Sequence, residues 1–318
     1  MSTEDILGLI TGLSLFLYGI HMLSEGLKQC AGHRLEGILK YVTGSKIKAV
    51  FSGAIVTALI HSSSALSVML IGFVNAGILP LKNAIWTLMG ADIGTTITSQ
   101  MIALNMGLIA PLLALIGVIL IIFVPASLFQ KIGAILSGMG ILFIGMDIMS
   151  VTLSPLSNEP YFIDMIKALS HPIMAVILGA LFTAIIQSSS ASIGILQVLA
   201  LNYLIEFKIA AFVVFGQNIG TCITSTLASL SGDRNSKRLA LFHFLFNFLG
   251  AILFTIICIY TPFIKYLEIY SYNPAHAIAN LHTIYNIIMV ILVLPIDKYL
   301  LSLVYKIIPE NKKRAYLK

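Results

Sequence analysis

The chain has 318 residues, 58% of them hydrophobic and 10% charged, with a mean hydropathy of +0.98 and a net charge of +6. A soluble domain carries roughly 25% charged residues, so this composition excludes an ordinary water-soluble enzyme or a nucleic-acid-binding domain. Uncharged runs longer than the ~20 residues needed to cross a bilayer recur along the whole length and make the lipid bilayer the expected surroundings.

The N-terminus is acidic (Glu4, Asp5) and leads straight into an apolar run, which is not the pattern of a cleavable signal peptide. Apolar runs predict helices over about 5–27, 83–103, 107–126, 131–153, 208–230, 238–260 and 274–296. Two segments fit badly as single spans: Ala49 to Leu81 and Ala168 to Ile205 are uncharged and each holds a serine triplet. As one straight helix either would be roughly 50 Å long, against a hydrocarbon core of ~30 Å. Broken at the serines, each becomes two arms of about 12–15 residues that reach the midplane and return. Both are therefore expected to be re-entrant helical hairpins with the serines at or near the tip. Non-helical backbone at that depth is tolerated only against protein or a water-filled cavity.

The two segments are copies. Gly53 to Ala65 (GAIVTALIHSSSA) and Gly179 to Ala191 (GALFTAIIQSSSA) match at nine of thirteen positions, 126 residues apart. The same offset superimposes GADIGTTITS (Gly90 to Ser99) on GQNIGTCITS (Gly216 to Ser225), and Gly12, Gly19 and Ser24 on Gly138, Gly145 and Ser150. The fold class expected is an all-α polytopic membrane protein built from two repeats. Repeat 1 covers 1–127 and repeat 2 covers 128–260, with an additional helix and basic tail over 261–318. With the N-terminus outside, the cytoplasmic loops and tail hold 16 of the basic residues, leaving Lys167, Lys208 and Lys265 outside. The positive-inside rule favours that orientation. An odd number of crossings per repeat then inverts one copy against the other, so the hairpins enter from opposite sides and meet near one centre, as in secondary transporters.

Three serines beside Gln187 or His61 supply hydroxyls that donate or accept, plus an amide or an imidazole. At a hairpin tip they also mark a helix start, where free N–H groups and the helix dipole favour an anion. No lysine or arginine lies in either serine cluster or either glycine-rich motif, so a bound anion needs its countercharge from elsewhere, and cations are the obvious source. Asn218, Thr221 and the backbone of GQNIGT offer oxygens for a small hard cation. Asp92, at the matching place in repeat 1, adds a carboxylate, and an ionisable group at such depth suggests function. Each feature has a plainer reading. Serine-rich patches let membrane helices pack closely, and Asp92 suits a structural role beside a helix end or a histidine. His243 with Asn247, and His282 with Asn286, sit at i, i+4 and read as interhelical hydrogen-bonding groups rather than substrate ligands. Cys30, Cys222 and Cys258 have no metal or redox spacing.

These residues resemble the sodium-dependent phosphate cotransporter family, the type II Na/Pi cotransporters and their bacterial relatives. The resemblance rests on HSSSA (His61 to Ala65), GADIGTT (Gly90 to Thr96), QSSSA (Gln187 to Ala191) and GQNIGT (Gly216 to Thr221). HxxFN-like patterns at His243 to Asn247 and His282 to Asn286 add to it, and it runs from about Gly12 to Pro295. It implies Na⁺-coupled symport of inorganic phosphate by alternating access, in the plasma (inner) membrane, with Na⁺ as coupling ion and no cofactor. On that reading Ser62, Ser63, Ser64, Gln187, Ser188, Ser189 and Ser190 hold phosphate, and Asp92, Thr95, Gln217, Asn218 and Thr221 hold sodium.

Three departures from the family pattern mark this chain. His61 stands in place of glutamine, Asp92 in place of asparagine, and Gln217 where a small residue is common. His61 titrates near the working range when unperturbed and is a candidate for pH-sensitive binding. The chain ends at Lys318 and is expected to lack the PhoU-like domain that follows the transport core in many bacterial relatives. The alternatives are a transporter or exporter of phosphate or another small oxyanion with different ion coupling, and an intramembrane hydrolase using His61 and a serine. The hydrolase is disfavoured because adjacent residues rarely give base-to-nucleophile geometry and the second copy has glutamine.

Overall fold

The computed structural model describes residues 3–31, 45–104, 106–155, 159 and 171–310. Regular structure among them is helical: α1 (Thr3–Ala31), α2 (Lys46–Ile60), α3 (Ser63–Asn75), α4 (Leu81–Ala103), α5 (Ala110–Phe123), α6 (Ser127–Leu153), α7 (Pro172–Ile186), α8 (Ser189–Leu201), α9 (Phe207–Ser229), α10 (Arg234–Tyr260), α11 (Phe263–Ile269), α12 (Pro274–Val293) and α13 (Asp297–Ile307). Five of these, α1, α6, α9, α10 and α12, are long and apolar enough to cross a membrane. The all-α expectation holds, and each predicted span appears within a few residues of its expected bounds. Helices α11 and α13 are separate elements that the apolar runs do not predict. Arg34, Lys40, Lys167 and the basic tail residues Lys312, Lys313, Arg314 and Lys318 lie outside the described residues.

Both serine segments break where expected, between α2 and α3 and between α7 and α8. The duplication is geometric as well as sequential, since α7, α8 and α9 begin and end 126 residues after α2, α3 and α4. Among the described residues positive φ occurs at His61, Gly77, Gln187 and Tyr203, which are two pairs with the same spacing. Tyr203 holds at φ 54° the place that Gly77 holds at 71°. A side chain makes the left-handed conformation unfavourable by roughly 1–2 kcal/mol, so the surrounding fold dictates that turn.

Close approach of backbones sets the helix pairing. A Cβ on Gly90 would overlap the Val50 carbonyl and one on Gly94 the Ala54 carbonyl, so α2 and α4 lie side by side in parallel, with Gly53 against the Thr87 carbonyl in the same seam. Gly179 against Val213 and Gly216 against Val176 reproduce the arrangement between α7 and α9. Such small-residue contacts replace the hydrophobic drive that is missing between helices in lipid. Helices α1 and α6 pair antiparallel across the repeats: Gly12 abuts the Gly145 carbonyl, and Gly19 abuts that of Gly138. Gly12 and Gly138 are equivalent positions, as are Gly19 and Gly145, so this seam is self-complementary.

The second arm of each hairpin packs against the motif-bearing helix of the other repeat, α3 on α9 and α8 on α4. Between them sits a buried aromatic group in which the Tyr285 ring stacks on Phe215 at 5.3 Å and meets Phe254 edge-on at 4.9 Å. Helix α12 lies against α4, so the segment after the second repeat completes the core. Helix α13 is tied down by Asp297, which accepts from Lys46 Nζ and from the Trp86 indole N–H, each at 2.6 Å. Burial alone would raise the Asp297 carboxyl; the hydrogen bonds from Lys46 and Trp86 outweigh it and hold the group below its ordinary value. The Arg238 guanidinium covers the Tyr305 ring at 4.2 Å at the same end of the molecule.

Packing of this kind predicts opposite outcomes for two glycines. Gly90→Ala forces a Cβ into the Val50 carbonyl and is expected to lower stability by about 1–3 kcal/mol, the usual penalty of overpacking. At Gly72 the space a Cβ would enter is open, with no atom within 4 Å, so Gly72→Ala is expected to be neutral or to stabilise by up to ~1 kcal/mol through helix propensity. Thermal unfolding of both variants in detergent checks this, and similar midpoints for the two would contradict the parallel α2–α4 contact.

Candidate functional site

The hairpin tips are built from two local devices. Helix α2 ends on His61 at φ 50°, ψ 31°, and α7 ends on Gln187 at φ 57°, ψ 22°, both left-handed. That conformation stops a helix and turns the chain. The next residues, Ser62 and Ser188, are extended and cap the helices that follow. Ala65 N donates to Ser62 Oγ at 3.1 Å and Ala191 N donates to Ser188 Oγ at 3.3 Å. A capping serine satisfies one of the four free N–H groups of a helix start, worth about 1 kcal/mol. Held strain at non-glycine residues is a feature of ligand sites.

The remaining serines point mostly into protein. Ser63, Ser189 and Ser190 are buried, while Ser62, Ser64 and Ser188 are half-buried. His61 is buried and shares a 2.8 Å hydrogen bond with the Thr98 hydroxyl through Nδ1. Gln187, its counterpart, is exposed. The copies differ inside as well. In repeat 2 the Thr183 and Ser192 hydroxyls bond each other at 2.7 Å, and Gln217 Nε2 donates to Ser192 Oγ at 2.8 Å. The matching positions in repeat 1 are Thr57, Leu66 and Ala91, and there the Thr57 and Ser63 hydroxyls are buried without a hydrogen-bond partner.

Along the motif helices, Thr95 and Thr221 donate their hydroxyl protons to the carbonyls of Ala91 and Gln217, at 3.0 and 2.9 Å. Asn218 Nδ2 donates to Val214 O at 3.0 Å. These bonds engage the donors and leave the side-chain oxygens as acceptors. Asp92 is buried and lies across the repeat boundary. His243 Nε2 is 3.2 Å from its Oδ1, and Asn247 Nδ2 donates to its Oδ2 at 3.1 Å. Asp92 thus has the histidine partner that the plainer reading proposed, from α10 rather than from its own repeat.

Ser99 and Ser225 end the two motifs, and each meets a histidine. Ser99 Oγ pairs with His282 Nδ1 at 2.8 Å and Ser225 Oγ with His243 Nδ1 at 3.1 Å. The interhelical reading of those histidines is therefore seen directly. Three further groups escape a reading of the motifs. Thr98 is named only by its bond to His61. Gln197 Nε2 donates to Ser99 O and Ala275 O, both at 3.0 Å, tying α8 to α4 and α12. Ser192 closes the Thr183–Gln217 network. A lone glutamine inside the apolar run of α8 is the one signal that could have marked Gln197. Among the described residues no group of three His, Cys, Asp or Glu side chains is placed to hold a metal ion.

Known proteins share this sequence pattern. The family model described as Na+/Pi-cotransporter matches residues 15–151 and 162–265. The chain is 34% identical over 297 residues to the uncharacterized protein YqeW of Bacillus subtilis, covering 93% of this chain and 96% of that one. It is 26% identical over 295 residues to the "Putative inorganic phosphate export protein YjbB" of Escherichia coli, covering 91% of this chain and 53% of the relative. It is also 30% identical over 135 residues to the human sodium-dependent phosphate transport protein 2B, covering 39% of this chain and 20% of that one. The chain thus spans nearly all of YqeW but about half the length of YjbB. No solved structure gives a significant match. With its membrane-length helices and its twice-repeated serine hairpin, the chain is an integral membrane protein that belongs to the Na⁺/Pi-cotransporter family.

Proposed function

We propose that this protein is a secondary active transporter that carries inorganic phosphate together with Na⁺ by alternating access. The observation that carries the reading is the pair of matched tips, each a left-handed residue followed by a serine-capped helix start. Phosphate sits against those helix starts, held by Ser62, Ser63 and Ser64 from one hairpin and by Gln187, Ser188, Ser189 and Ser190 from the other. Backbone N–H groups and neutral hydroxyls suit a tetrahedral oxyanion. Sodium is held by Asp92, Thr95, Gln217, Asn218 and Thr221, through side-chain or neighbouring carbonyl oxygens, and supplies the countercharge the tips lack.

Repeats 1–127 and 128–260 are related in this reading by inversion across the membrane, with 261–318 added after them. The antiparallel, self-complementary α1–α6 seam supports it, because two equivalent helices that cross a bilayer in opposite directions belong to oppositely oriented repeats. The N-terminus faces outward and the C-terminus lies in the cytoplasm of a cell bounded by the plasma (inner) membrane. Lys46, Lys82 and Lys298 converge around Trp86 and Asp297 in a cavity at the end so assigned to the inside. A hydrolytic role is disfavoured because the hydrogen bond of the His61 ring is to Thr98 and not to a serine of either triplet. Export is a second reading, favoured by the name that YjbB carries.

Purified protein in liposomes is expected to accumulate labelled phosphate when Na⁺ is imposed as an inward gradient, and not when choline replaces it. Uptake indifferent to Na⁺ would remove the coupling; phosphate efflux driven by outward or inward ion gradients alone would establish export instead. The role of the tips is separable from their folding. Ser188→Asn and Ser188→Asp both retain a capping oxygen, but the aspartate places a negative charge where phosphate binds. Ser188→Asp is expected to fold and to lose uptake at least tenfold relative to Ser188→Asn. Equal transport by the two would place phosphate away from this tip.

A further inference from the structure

Among the described residues four buried side-chain amides, those of Gln197, Gln217, Asn247 and Asn286, have an oxygen with no hydrogen-bond partner. Turning the amides over does not relieve them. Asn247 Nδ2 faces Asp92 Oδ2 at 3.1 Å and His243 O at 3.2 Å. Asn286 Nδ2 faces His282 O at 2.9 Å, Gln197 Nε2 faces two carbonyls, and Gln217 Nε2 faces Ser192 O at 3.1 Å. Carbonyl and ionised carboxylate oxygens only accept, so each nitrogen must stay where it is and each oxygen must point away. An acceptor buried in that condition is destabilising, because it has given up water and gained no donor. A hard cation relieves it, because such ions take amide carbonyl oxygens as ligands.

Asn247 and Asn286 stand out because of what surrounds them. Neither lies in the repeated motifs, yet each sits one helical turn beyond a histidine that clamps a motif serine. Helices α9 and α10 run antiparallel, with Ser225 beside His243 and Cys222 beside Asn247 at 3.6 Å. Helices α4 and α12 also run antiparallel, with Ser99 beside His282 and Gln100 beside Asn280 and Thr283. Cys222 and Thr96 are equivalent positions, so the register sets Asn286 opposite Thr96 as Asn247 is set opposite Cys222. Asn247 has a carboxyl group beside it as well. Its amide is bonded to Asp92, which keeps its free Oδ1 within a few ångströms of the carboxylate.

We propose that Asn247 and Asn286 are ligands for the coupling cation, Asn247 Oδ1 acting with the Asp92 carboxylate and Asn286 Oδ1 presenting the equivalent oxygen at the other clamp. This rests on the reading of the chain as an ion-coupled transporter. It places part of the ion site on α10 and α12, the two helices that hold the motif helices from outside. An ion bound there bridges each motif helix to its clamp.

The test is the thermal unfolding midpoint of the full chain in detergent, titrated with NaCl at constant ionic strength made up with choline chloride and without phosphate. The wild-type midpoint is expected to rise with Na⁺. Asn247→Leu and Asn286→Leu keep the volume and remove the oxygen, and each is expected to raise the half-effect concentration at least tenfold. Gln100→Leu serves as the control and leaves it unchanged. Should Asn247→Leu not give a monodisperse protein, Asn247→Ala is read in its place; it removes the oxygen without filling the site and is expected to raise the half-effect concentration at least tenfold. Unchanged Na⁺ dependence in these variants overturns the assignment while leaving phosphate transport standing. A wild-type response to Li⁺ or K⁺ but not Na⁺, lost in the variants, upholds the ligands and removes sodium coupling. No response of the wild type to any of the three cations overturns the assignment.

Discussion

A helix that stops halfway through a bilayer leaves four N–H and four C=O groups without partners at each broken end, and hydrocarbon offers them nothing. The architecture follows from meeting that constraint twice. A left-handed residue ends the first arm, a serine hydroxyl caps the second, and neighbouring helices bury Ser63, Ser189 and Ser190 beside the junctions. Enclosure requires close neighbours, and the glycines of α2, α4, α7 and α9 allow carbonyls to take the space a Cβ would fill. The same free N–H groups that make a broken helix expensive make it a place for an anion. One constraint therefore accounts for the fold and for the proposed chemistry.

Backbone geometry and side-chain chemistry have diverged between the two copies to different degrees. Helix limits and left-handed positions coincide at the fixed offset, even where Tyr203 replaces Gly77. The polar interior does not coincide. Repeat 2 closes Thr183, Ser192 and Gln217 into one network, whereas Thr57 and Ser63 in repeat 1 have hydroxyls without partners. Asp92 reaches out of its own repeat to His243 and Asn247. Local backbone form depends on a few residues at a turn, but a hydrogen-bond network changes when any one member does, and here leucine and alanine have removed two.

Much of the fold was legible because a bilayer limits segment length. An uncharged run too long for one span and too polar in its middle leaves few options, and both hairpins broke at the serines. The pairing of serines with helix starts was also legible, since capping is a local rule. Interactions between distant segments were not. Nothing in the run Pro274 to Val293 tells that it completes the core against α4, or that His282 meets Ser99. Asp297 follows the last expected helix and drew no reading, and its role in anchoring α13 depends on Lys46 and Trp86, more than two hundred residues away in the chain. Equivalence in the repeat did not predict exposure either: His61 is enclosed against Thr98 while Gln187 is open.

The glycine seam between α1 and α6 has a consequence for motion. Its contacts are pairs of equivalent positions exchanged about a two-fold axis, Gly12 with Gly145 and Gly19 with Gly138. Any change in which the two repeats trade conformations maps such a seam onto itself. At the glycines the close backbone contacts before and after are alike, and the seam distinguishes the two end states only through side chains that differ between the copies, such as Leu142 against Gly19 where Phe16 lies against Gly145. In the proposed alternating-access cycle it stays closed as a pivot, and the free energy that favours one state over the other comes mainly from the parts that break the symmetry.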